Sequence, residues 1–312
     1  MSQNSYVAPS TTAIAAAQDS LPALRLLVAQ RKLYSKAKFW SFLRWVGFSV
    51  LGVVAPLLAV FMPPAAVVVG AFAGVWIFLS RTLFSGCELE RSAKAAAVQE
   101  DFDRLVFAMP LLAVRAPRPT PEEIAAVAGN DSDTFAVAEK EKLIDWYPLH
   151  QDLNGVASIA IAQRANASYS ERLQQLNAQL WLGVLIIWGL AAVGLSFAFD
   201  VDLPTFLLGV VAPLLPAFLD VTDQRKLARQ AGADRRAMAN DIESAIRGDS
   251  PNSLSSDDLL VWQERLYTLR RSSPLVPNLV YKRARDRNER IMTLAALELS
   301  LAAKERQGPA AP

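Results

Sequence analysis

The chain has 312 residues, 52% of them hydrophobic and 20% charged, with a formal net charge of +2 and a mean hydropathy of +0.21. That balance suits a membrane protein with substantial polar segments, and it gives no sign of a DNA partner. The lone Cys87 excludes an intramolecular disulfide and a zinc-ligand spacing, and the lone His150 argues against a metal cluster, so no metal or cofactor is expected.

Residues 1–20 are rich in Ser, Thr, Ala and Gln and are expected to be disordered. They lack the basic stretch and apolar core of a secretory signal peptide. Residues 21–84 read as a lead-in helix through Leu24, Leu27 and Val28, followed by two apolar runs. Arg25, Arg31, Lys32, Lys36 and Lys38 precede the first run, as a positive-inside anchor or a lipid-recognition patch. The runs extend from Phe39 to Phe61 and from Ala65 to Phe84. Each can cross a hydrocarbon core of about 30 Å. Pro63-Pro64 forces a tight turn between them. Arg44 and Arg81 then share one membrane level, where long side chains can snorkel to phosphates.

Residues 85–178 read as a helical insert. Phe102, Leu105, Val106 and Met109 fall on one helical face before Pro110. Pro117, Pro119 and Pro121 mark a loop. Thr120-Pro121-Glu122-Glu123 has the spacing of a capping box, and Gly129-Asn130 ends that short helix. Trp146-Tyr147-Pro148 forms an aromatic corner. A helix from about Asp152 merges into a third apolar run, Leu180 to Phe199. Asp200-Val201-Asp202 turns the chain into a fourth, Leu203 to Leu219, so 179–221 is a second hairpin. Asp220, Asp223, Arg225, Lys226 and Arg229 return it to water. Residues 222–312 form a helical tail: a continuation through Ile246, a loop at Asp249 to Asn252, a helix capped by Ser256, and a last helix from Asn278 to Arg306.

The fold class is therefore all-α, with two transmembrane hairpins, a cytoplasmic insert and a cytoplasmic tail. The two tight turns carry no Lys or Arg and every opposite flank does, which places both termini in the cytoplasm.

Ala66, Gly70 and Gly74 form a small-residue face on the second span, for packing within the chain or between subunits. Pro56 and Pro213 sit in a repeated octapeptide, Leu51 to Leu58 and Leu208 to Leu215, and are candidate helix kinks. The repeat is an inverted pair or a coincidence of an apolar alphabet. No charge lies deep in a span, which disfavours a proton relay or ion-coupled transporter. Asp101 and Asp103 do not share a helical face, and no nucleophile, phosphate loop or hydrolase motif is present, so an enzyme is not expected. Arg164, Asn166, Tyr169 and Arg172 lie just before the third span, with Trp146 and Tyr147 upstream. Arg forks suit phosphates and rings suit bases, so these six are candidate nucleotide-binding residues; a solvated or headgroup-facing surface is the plainer reading.

Several stretches resemble the SMODS-associated four-transmembrane pore-forming effectors of bacteria. They are Gln99-Glu-Asp-Phe-Asp103 with Val106-Phe107 and Pro110; Trp146-Tyr147-Pro148; Gln163-Arg164 with Asn166 and Tyr169; and Val276-Pro277 with Tyr281, Arg285 and Asn288-Glu289. Leu111-Leu112 departs from the expected Trp-Asn-like pair. The resemblance implies an oligomeric antiphage effector in the inner membrane that senses a cyclic di- or oligonucleotide and permeabilises the bilayer. The other reading is a non-conducting four-span scaffold that recruits a cytoplasmic partner.

Overall fold

The computed structural model describes residues 6–113, 115–150, 152–249 and 254–307, and every regular element among them is helical. Four long rods dominate. The first is α2 (Leu21–Phe61), preceded by the short α1 (Thr11–Gln18). The second is α3 (Pro63–Leu79), which passes through a π turn, Ser80–Phe84, into α4 (Ser85–Val106). Two short helices follow, α5 (Pro121–Ala128) and α6 (Asp131–Lys140). The third rod is α7 (Gly155–Ala198). The fourth opens with α8 (Leu203–Thr205) and runs through a second π turn, Phe206–Val211, into α9 (Ala212–Arg247). The chain ends with α10 (Ser256–Ser272) and α11 (Asn278–Gln307).

The rods pair as two antiparallel hairpins. In the first, the chain reverses at Met62, and Pro63-Pro64 open α3 where a missing N–H leaves no helical bond unmade. Gly47 faces Trp76, Trp40 meets Phe84 at 5.7 Å, and Ala29 and Leu33 pack with Ala95 and Val98, stepping away from the tip. A Cβ at Gly47 would lie 1.9 Å from the Trp76 ring, so only glycine admits this approach. In the second hairpin Trp188 meets Phe218 at 5.9 Å, Glu171 pairs with Arg236 at 2.7 Å and Arg164 with Glu243 at 2.8 Å. The hairpins touch through Trp45 and Trp181 at 4.2 Å and through Arg81 and Asp220.

The outer halves of the rods are apolar, and most of their described side chains are exposed. Among the described residues, two helical stretches are long and apolar enough to cross a membrane, Gly70–Val106 and Gly155–Ala198. Their most apolar windows are only 11% and 6% buried. A soluble core helix would bury that surface, whereas Phe72, Phe78, Leu190 and Phe197 all point outward. The inner halves of the same rods form a packed base with α1, α10 and α11. Its core includes Ile14, Leu24, Leu27, Phe102, Phe107, Ile159, Met238, Ile242, Leu259 and Leu299. Each such side chain contributes about 1.5–3 kcal/mol by leaving water.

Several expectations are corrected. Residues 6–20 are ordered, because Ile14 is fully buried, the Tyr6 hydroxyl donates to Phe107 O at 2.7 Å and the Thr11 hydroxyl donates to Leu153 O at 2.7 Å; residues 1–5 lie outside the described set. Boundaries at 84/85 and 178/179 fall inside continuous rods, so base and apolar halves share helices. The capping box at Thr120 and Glu123 forms as its spacing indicates, with both reciprocal bonds present. In α10 the cap is Ser255, one residue before the expected Ser256, paired with Asp258. Residues 250–253, which take in most of the expected Asp249 to Asn252 loop, are outside the described residues.

Among the described residues, a Cβ at Gly70 or Gly74 would meet nothing within 4 Å, so that part of the small-residue face is open. The Ala66 side chain lies outside the described residues, as do those of Pro56 and Pro213. The backbone of α2 runs unbroken through position 56, while Pro213 lies two residues past the end of the Phe206–Val211 π turn. A π turn offsets the hydrogen-bond ladder where proline supplies no N–H.

Candidate functional site

The centre of the base is polar. Glu100 and Asp103 lie three residues apart on α4 and so share a face. Asp103 Oδ2 accepts from Arg270 Nη1 at 2.6 Å and from Gln263 Nε2 at 2.9 Å, while Oδ1 accepts from the Tyr147 hydroxyl at 2.6 Å. Gln263 Nε2 also donates to Glu100 Oε2 at 2.8 Å, and Gln163 Nε2 donates to Gln263 Oε1 at 3.0 Å. All six residues are buried. Burial, reinforced by the Asp103 charge, pushes the Glu100 carboxyl up to about 7. Burial alone would lower Arg270, but Asp103, Tyr147 and Glu100 hold it above its ordinary value. This network ties α4, α7 and α10 to the Trp146 corner. A buried ion pair of this kind fixes helix positions, because losing either partner strands a charge. No cluster of His, Cys, Asp or Glu able to hold a metal occurs among the described residues.

Five of the six sequence candidates distribute over three places rather than one cleft. Tyr147 belongs to the buried network; burial and Asp103 raise its hydroxyl, and Asn166 hydrogen-bonds to it. Trp146 packs partly buried against the same core. Arg164 projects to α9 and pairs with Glu243, which also accepts from Arg247 at 3.0 Å. Tyr169 sits edge-on to Tyr281, ring centres 6.4 Å apart, and burial and Tyr281 raise its hydroxyl. Arg172 makes no ion pair among the described residues.

Tyr281 gathers the basic flank of α2. Arg31 lies 4.6 Å from its ring centre, Lys38 5.2 Å and Arg285 6.0 Å. Burial and the Arg31 charge push Lys38 down to about 8. Arg31 also pairs with Glu141 and Arg285 with Glu289, so the cluster is largely self-compensated.

A groove of about 530 Å³ opens between α7 and α9, where the polar base gives way to the apolar halves. Arg225, Arg229, Arg236 and Asn240 line it from α9, and Gln175, Gln179 and Leu182 from α7. Ala178, Ala233 and Ala237 leave the space between them. In the sequence, Arg225 and Arg229 looked only like a return to water; the four- and seven-residue steps from 225 to 229 to 236 already placed them on one face.

The family model described as SMODS-associating 4TM effector domain matches residues 12–299. No curated protein and no solved structure matches the chain. The match begins in α1 and ends in α11, so it takes in both hairpins and nearly all of the base. The chain belongs to the SMODS-associating 4TM effector domain family.

Proposed function

We propose that this protein crosses the bacterial inner membrane four times, with both termini cytoplasmic, and permeabilises that membrane when its base binds a cyclic di- or oligonucleotide. Family membership supports the effector role and the link to nucleotide signalling. The observation that carries the gating reading is the continuity of α7, which runs from Gly155 in the polar base to Ala198 in the exposed apolar half. A ligand that binds one arrangement of the base more tightly therefore acts directly on the membrane half of the same rod. Pore formation calls for several copies, and the outward-facing Gly70 and Gly74 suit close helix contact between them. Among the six sequence candidates, Arg172 is the cation free to meet a phosphate, since Arg164 is held by Glu243.

The test is dye leakage from proteoliposomes of inner-membrane lipid composition, titrated with a panel of cyclic di- and trinucleotides. Leakage induced by one of them is expected. Binding of a nucleotide without leakage, together with capture of a cytoplasmic protein, would favour the scaffold reading.

A further inference from the structure

We infer that the groove between α7 and α9 is a seat for a phosphodiester anion. Three arginines reach it from one face of α9. Arg236 is held by Glu171 at 2.7 Å, whereas Arg225 and Arg229 pair with no carboxylate among the described residues. The nearby acids are engaged elsewhere: Asp220 by Arg81, Asp223 by Lys226 at 3.9 Å, and Asp234 by Gln230 at 2.8 Å. The groove is thus a concave surface with two uncommitted guanidinium groups. Guanidinium forks match the paired oxygens of a phosphate.

Its shape adds a second argument. A merely solvated basic face needs no hollow, yet alanines at 178, 233 and 237 keep this one open. The lip toward the apolar half carries Leu182, and the opposite end carries Asn240. A ligand fitting this gradient has a diester at the arginines and an apolar or ring-bearing part at Leu182. An anionic phospholipid headgroup and a cyclic nucleotide both have that chemistry. Because the walls belong to the two rods of one hairpin, an occupant would fix α7 against α9. The nucleotide source rests on the function proposed above; the lipid source does not.

The experiment uses the full chain in phosphatidylcholine nanodiscs, with two probes measured separately. One is phosphatidylglycerol doped into the disc, read as retained lipid by native mass spectrometry. The other is a panel of cyclic di- and trinucleotides, read by equilibrium dialysis. Arg225→Gln with Arg229→Gln is expected to weaken one probe by about tenfold or more, and loss of the lipid or of the nucleotide names the source. A control removing two charges on other helices, Lys140→Gln on α6 with Arg290→Gln on α11, is expected to leave both probes unchanged. Ala178→Leu with Ala237→Leu, which fills the hollow and keeps every charge, should also weaken binding and covers the case in which the arginine variant fails to fold. Wild-type binding of both probes by the arginine and alanine variants would overturn the proposal, as would an equal loss in the control. Leakage separates this from the function itself. Nucleotide-induced leakage with unchanged binding in the groove variants sinks the groove alone, and groove-dependent lipid binding without leakage sinks the effector reading alone.

Discussion

The Arg81 guanidinium donates to Asp220 Oδ1 at 2.6 Å, joining the π turn of the first hairpin to α9 of the second. On sequence grounds Arg81 and Arg44 were expected to reach lipid phosphates. Instead each meets a carboxylate of the protein, Arg44 pairing with Glu88 at 3.1 Å. The Arg81 side chain is 60% exposed, so in water the pair would contribute only about 0.2–1 kcal/mol. Its value lies in position, since it joins the two hairpins where the base meets the apolar halves. Arg81→Ala and Asp220→Asn are each expected to lower the ligand concentration that gives half-maximal leakage, and the charge swap Arg81→Asp with Asp220→Arg to restore it. Unfolding in detergent of the wild type, the two single variants and the double variant Arg81→Ala with Asp220→Asn gives the coupling energy.

Two kinds of glycine should separate cleanly. Gly47→Leu drives a side chain into Trp76 and is expected to destabilise the first hairpin by about 1–3 kcal/mol. Gly70→Leu with Gly74→Leu meets open space, so the monomer should unfold as the wild type does. The same variant is expected to reduce oligomer size on crosslinking and to abolish leakage. Wild-type oligomers from it would remove the small-residue face from the assembly.

The buried network predicts a graded series. Asp103→Ala removes the nearer carboxylate of Arg270 and leaves only Glu100 at 3.9 Å, at a cost of up to about 3–5 kcal/mol. Tyr147→Phe removes one bond to a charged acceptor and should cost about 1.5–3 kcal/mol. Chemical denaturation in mild detergent measures both.

Glu100 gives the pH dependence. Its carboxyl is raised from 4.5 to about 7 in the folded protein, so the folded state holds the proton more tightly than the unfolded chain. The associated stability is full below about pH 4.5 and is lost as pH rises through about 7. Glu100→Gln should therefore flatten the thermal midpoint across that window and exceed the wild type above pH 7. A parallel slope in the variant would assign the titration to another group.

Orientation can be read from the native thiol. Cys87 is free and lies just past the first π turn. A membrane-impermeant maleimide is expected to leave it unlabelled in intact spheroplasts and to label it after permeabilisation. A cysteine placed at Asp200 should show the reverse. Labelling of Cys87 from outside would invert the topology.

Much of the fold was legible because apolar runs and capping chemistry are local. The tip at Pro63-Pro64, the box at Thr120 and Glu123, and α11 from Asn278 all follow from neighbouring residues. The ordering of 6–20 was not, because Tyr6 and Thr11 gain their hydrogen-bond partners from residues more than ninety positions away. The α6 helix was missed although Asn130 caps it, because its mixed composition shows no strong periodicity. In the site, Tyr147 and Arg164 drew notice as a ring and a cation, the right types for a ligand. Their commitment to Asp103 and Glu243 depends on helices brought together only by folding. The Glu100–Asp103 pair could have been found from its three-residue spacing; Arg270 as its counter-ion could not.

The π turns at Ser80–Phe84 and Phe206–Val211 each take in one residue more than an α-helical turn. One residue corresponds to about 100° of rotation. The outward stripe of α3 and the inward stripe of α4 are consequently out of phase, and no single helical wheel describes the whole rod. Deleting one residue from 80–84 would close the turn into α-helix and rotate Phe72 and Phe78 by that angle relative to Phe102. Deletions within 80–84 should therefore lose function with the base still folded, whereas deletions within α4 should also unsettle the base. Such a register device lets the exposed apolar half be aimed independently of the residues that build the base.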